Sequence, residues 1–124
     1  MKSINTLRLG AREYDIKWDA AAIRKICEER GEDGSAAGAI DHETRIVYLD
    51  PGYLSYSLPA FEVLLHEAMH IIEAFMGLDW EEGKVEGLAA NIASLLIQSG
   101  FIDLDELEVG GIRLNRVAGI KEDA

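Results

Sequence analysis

The chain has 124 residues, nearly half of them apolar, and its 23 acidic against 12 basic side chains give a formal charge of −11. That length holds one domain with a real core and leaves no room for two, so residues 1–124 read as a single unit. The acidity argues against a phosphate-binding surface and so against a nucleic-acid partner. One cysteine excludes an internal disulfide and fits a reducing cytoplasm, and without a basic leader or a membrane-length apolar run no membrane contact is expected.

In chain order, Ile4, Leu7 and Leu9, then Tyr14, Ile16 and Trp18, flank Gly10-Ala11-Arg12 as two short strands around a turn. Asp19 is placed to cap a helix, with Trp18 and Ile23 as a hydrophobic staple, and Gly31 stops that helix after Arg30. Cys27 follows Ile23 and Ile26 on the apolar face, which predicts a packing role. After a glycine-rich connection over 31–38, residues 39–41 and 45–50 form a second strand pair around His42-Glu43-Thr44, with His42 exposed in the turn. Asp50-Pro51-Gly52 turns the chain again. Tyr53 and Tyr56 follow, and either could stabilise negative charge on a carbonyl oxygen, although a packing role is the simpler reading.

Between Pro59 and Gly77 no breaker interrupts an apolar run, and a helix is expected there. It carries His66-Glu67-Ala68-Met69-His70. At 3.6 residues per turn the two histidines lie about 40° apart around the axis and roughly 6 Å along it, so their imidazoles can converge on one ion. Zinc accepts neutral imidazole nitrogens, and Glu67 is placed to act as general base on a water. Glu73, seven residues after His66, is a candidate partner for His70. Gly77 should close the helix as a left-handed cap. Asp79 and Glu82 have capping-box spacing, so the next helix is expected to start at Asp79, with Glu81 and Glu82 complementing its dipole, and to stop near Ser99-Gly100. Equal outward and return paths along two antiparallel helices then bring Glu86 level with the histidines, as third metal ligand.

His66-Glu67-x-x-His70 followed by Glu86-Gly87-Leu88-Ala89 resembles the gluzincin pattern of zinc metallopeptidases. The run from Glu86 to Asn91, with one extra alanine, looks like the compact bacterial and phage ImmA/IrrE-type metallopeptidases. The resemblance covers roughly a third of the chain. It implies an α+β, zincin-like fold: a small antiparallel or mixed sheet packed on an active-site helix and a second, glutamate-bearing helix. It also implies zinc held by His66, His70 and Glu86, Glu67 as base, and a protein or peptide substrate, with a regulator among the candidates. In such peptidases an edge strand above the active helix pairs with the substrate backbone, and 45–50 is the candidate here. The competing expectation is an accessory protein of peptidase-derived fold that binds zinc without catalysis, or binds none.

Beyond Gly100 the signals weaken. Residues 101–107 suggest a short helix and 112–117 a strand, separated by Gly110-Gly111.

Overall fold

The computed structural model describes residues 2–33 and 36–114. Three helices and two small mixed sheets make the chain α+β. Strand β1 (Lys2–Ile4) is followed by β2 (Thr6–Leu9) and β3 (Arg12–Trp18), the last two forming the expected antiparallel hairpin about Gly10. Helix α1 (Ala20–Glu29) starts where Asp19 accepts a hydrogen bond from the Ala22 amide at 3.0 Å. Cys27 on this helix is buried against Ile23 and Ala39.

Strands β4 (Gly38–Asp41) and β5 (Ile46–Leu49) form the second hairpin. Its turn is closed by Asp41 Oδ1, which accepts from the amides of Glu43 at 3.0 Å and Thr44 at 3.2 Å, while Arg45 takes a left-handed φ of 59°. The sheet order is β2-β3-β5-β4. This corrects the expectation for 45–50: β5 lies inside the sheet, parallel to β3, and the outer strands are β2 and β4. Asp50 donates its amide to the Ala37 carbonyl and Asp19 donates to Leu49. By the alternation of an antiparallel ladder, Gly38 and Ile40 then turn their backbone groups outward.

Helix α2 (Ser57–Met76) packs most extensively on α3 (Glu82–Gln98). Gly77 ends α2 in the left-handed conformation at φ 64°, and the Leu78 amide reaches the Glu73 carbonyl. Asp79 is not the cap of α3, as the capping-box spacing suggested: residues 78–81 are irregular and Glu81 is the cap residue, with no side-chain cap bond. Val85, Ala89 and Ala93 form the buried stripe of α3, whereas Leu88 and Leu95 face outward.

After a short 3-10 turn (Leu104–Glu106), β6 (Leu107–Val109) and β7 (Ile112–Arg113) form a hairpin over Gly110-Gly111. Strand β1 pairs parallel to β6. The helix expected over 101–107 is thus only the 3-10 turn, and the part of the expected strand beyond residue 114 lies outside the described residues. Buried Tyr14, Ile16, Val47, Phe61, Leu64, Ile71, Ala93, Leu107 and Val109 make one continuous core drawn from both sheets, α2 and α3. No helix among the described residues is long and apolar enough to cross a membrane.

Candidate metal centre

Helical spacing sets the first two groups. His66 and His70, one turn apart on α2, present their Nε2 atoms 3.0 Å from each other. The third comes from across the cleft: Glu82, the first residue of α3, places Oε1 2.5 Å from His66 Nε2 and Oε2 3.4 Å from His70 Nε2. One ligand atom from each of these three residues lies within 4.8 Å of the others. On the far side of its ring, His70 Nδ1 is 2.8 Å from Glu73 Oε1. With Nδ1–H donated to that carboxylate, the His70 Nε2 lone pair faces Glu82 and His66. Two imidazole nitrogens and a carboxylate thus converge on one region, a donor set that suits a cation. His66, His70 and Glu82 form a group that could hold a metal ion.

Glu73 does more than orient His70. Its Oε2 accepts the Trp80 amide hydrogen at 2.5 Å, which ties the irregular segment before α3 to α2. That amide and the His70 ring hold the Glu73 carboxyl below the usual carboxylate range. For His70, burial disfavours the charged ring, but Glu73, Glu67 and Glu82 together outweigh it and raise its pKa.

Glu67 sits between the histidines on the buried side of α2, at 8 % exposure. Burial pushes its carboxyl up to about 7; Glu82 adds to the rise, while His70 and Arg30 oppose it. It packs on β4 where that strand has no side chain. A Cβ on Gly38 would lie 3.0 Å from Glu67 Cγ and 3.1 Å from Oε2.

These groups line an open cleft of about 1110 Å³ between α2, α3 and β4. Glu86 also lines it, exposed, one turn further along α3 than Glu82; it is Glu82, not Glu86, that the structure brings onto the imidazoles. Tyr53 lines the cleft as well, whereas Tyr56 is exposed and outside its lining. His42 is exposed as expected for its turn, yet it too lines the cleft, with Nδ1 2.9 Å from the hydroxyl of buried Tyr14. Glu82, expected only to complement the helix dipole, joins the imidazoles, and Gly38 and the His42 contact are site features that the sequence pattern does not single out. The available signal for Glu82 was Gly77-Leu78-Asp79, which permits an extended return, and for Gly38 a lone glycine leading an apolar strand. No family model, curated protein or solved structure matches the chain.

Proposed function

We propose that the chain is a zinc-dependent peptidase of minimal, zincin-like form. The observation that carries this is the convergence of His66, His70 and the Glu82 carboxylate beside a buried glutamate in an open cleft. His66 and His70 would hold the ion with a carboxylate from α3, and zinc fits the imidazole-rich set. When bound, zinc supplies a Lewis acid and lowers the pKa of a water to about 7.

Glu67 does the proton work. As the carboxylate it takes a proton from the attacking water as the oxygen bonds to the scissile carbonyl carbon. The same proton passes to the amine nitrogen as the carbon–nitrogen bond breaks, so Glu67 ends the cycle as it began. Strand β4 offers the substrate its outward-facing backbone at Gly38, while the Ile40 carbonyl is already taken by the Arg30 guanidinium at 2.6 Å.

The test is metal content followed by hydrolysis of denatured casein. Wild type should bind one zinc; His66→Ala and His70→Ala should lose it; Glu82→Ala should lose it while Glu86→Ala keeps it. Glu67→Gln should retain zinc and lose cleavage by at least about 10²-fold. Cleavage by Glu67→Gln at the parental rate would overturn the reading. Zinc retained by Glu82→Ala and lost by Glu86→Ala would move the third ligand one turn along α3.

A further inference from the structure

His42 stands apart from the three groups of the metal centre, but it is held in a way that a turn histidine does not need. It directly follows β4, and its backbone is fixed by the Asp41 turn. Its ring stands edge-on to Tyr14, with centroids 5.9 Å apart and planes at 88°, and its Nδ1 meets the Tyr14 hydroxyl at 2.9 Å. Tyr14 is 1 % exposed, and among the described residues this is the one hydrogen bond shown for its hydroxyl. A buried phenol that did not donate would strand its hydrogen, so Tyr14 O–H donates and Nδ1 accepts. The imidazole hydrogen then sits on Nε2, on the ring edge turned away from Tyr14. Burial of the ring, with Arg30 nearby, also disfavours its charged form and lowers its pKa against the pull of Asp41.

We propose that His42 is a substrate-positioning residue, whose Nε2–H donates to a main-chain carbonyl of a peptide that pairs with β4 at Gly38 and leaves the Ile40 carbonyl to Arg30. The proposal rests on the peptidase reading and adds to it a binding site away from the reacting bond. Gly38 marks the position of Glu67 on β4, and His42 lies four residues further on, about 13 Å at roughly 3.3 Å per residue. An extended substrate therefore meets His42 some three to four residues from the bond that Glu67 serves. The chain accordingly favours longer peptides over short ones, on one side of the scissile bond.

Two measurements test this on the zinc-loaded full chain. The first is steady-state cleavage of a casein-derived peptide and of versions shortened from either end. For the long peptide His42→Ala should raise KM about 3- to 10-fold, the range for one neutral hydrogen bond, with kcat and zinc content unchanged. Tyr14→Phe should give a smaller rise, and for a peptide cut to two residues on each side of the bond neither variant should differ from wild type. The second is nitrogen NMR of the imidazoles, which should show His42 as the Nε2–H tautomer in wild type and a mixture in Tyr14→Phe. An unchanged KM in His42→Ala, an Nδ1–H tautomer in wild type, or loss of zinc in His42→Ala each overturns the proposal while leaving the peptidase reading intact. If zinc-loaded wild type cleaves no peptide although the tautomer is as assigned, the peptidase reading fails and the substrate role of His42 fails with it.

Discussion

The two oxygens of Glu73 serve different parts of the chain, one on His70 Nδ1 and the other on the Trp80 amide two residues before Glu82. One carboxylate therefore sets both the ring orientation of His70 and the position of the segment that delivers the opposing acid. Groups that orient metal ligands in this way usually cost 10- to 100-fold in metal affinity when removed. Glu73→Ala should weaken zinc binding within that range, measured by competition with a chromophoric chelator. Glu73→Gln, whose amide oxygen can still accept from His70 but whose amide nitrogen cannot accept from Trp80, should fall between the two. Equal affinity in all three proteins would show that His70 orients itself. His66, His70 and the Glu73 partner could be read from sequence because helical spacing alone relates them. His42 could not be read that way: its contact with Tyr14 spans two hairpins and depends on the sheet order.

At the scale of elements, the placement of Glu82 depends on how the chain returns from α2. A helix advances about 1.5 Å per residue and an extended segment about 3.3 Å, so the irregular residues 78–81 cover the return leg in fewer residues than a helix begun at Asp79 would need. Counting helical rise on both legs reached Glu86; the extended leg reaches Glu82, one turn earlier. Both helices and their pairing were legible from apolar patterning, but the conformation of a four-residue connection was not. Strand β4 matters to the site in a similar way, through what it lacks. Replacing Gly38 with alanine puts a methyl 3.0 to 3.2 Å from Glu67 Cγ, Oε2 and Cδ, and the glutamate must give by a few tenths of an ångström. On the proposed peptidase reading, misplacement of the base by about 1 Å costs on the order of 10²-fold in rate, so a shift of this size should cost roughly 5- to 20-fold in kcat. Zinc affinity should stay within about twofold, because Gly38 faces Glu67 and neither histidine. Gly38→Ala with wild-type kcat would mean that the carboxylate finds its working position independently of the strand.

Across the described residues, the second sheet joins the first strand to the last two, through parallel pairing of β1 with β6 over more than a hundred residues. Pairings so distant in sequence leave no local pattern, which is why the tail beyond Gly100 was the least legible region. Trp18 of β3 ties this join to the larger sheet, its Nε1–H donating to the Val109 carbonyl at 2.8 Å, while within the small sheet the Gly110 amide donates to Ile4 at 2.9 Å. Gly110 has φ 59°, and a Cβ there would lie 2.9 Å from Trp18 Nε1 and 3.3 Å from the Ile16 carbonyl oxygen, a backbone atom that cannot swing aside. Gly111, with φ 81°, has open space around it. Alanine at 111 thus meets only the left-handed backbone cost of about 1 to 2 kcal/mol. Alanine at 110 meets that cost and an overpacking cost of about 1 to 3 kcal/mol as well. At roughly 3 to 6 °C per kcal/mol for a chain of this size, Gly110→Ala should melt clearly below Gly111→Ala, by about 5 to 15 °C in thermal unfolding followed by circular dichroism. Equal melting temperatures would show that Trp18 yields and that the two sheets are not locked there. Zinc affinity below the transition should be unchanged in both, since neither glycine lines the cleft. Gly38→Ala should do the opposite, altering turnover with little change in melting, because the lock between the sheets and the floor of the cleft are separate parts of one core.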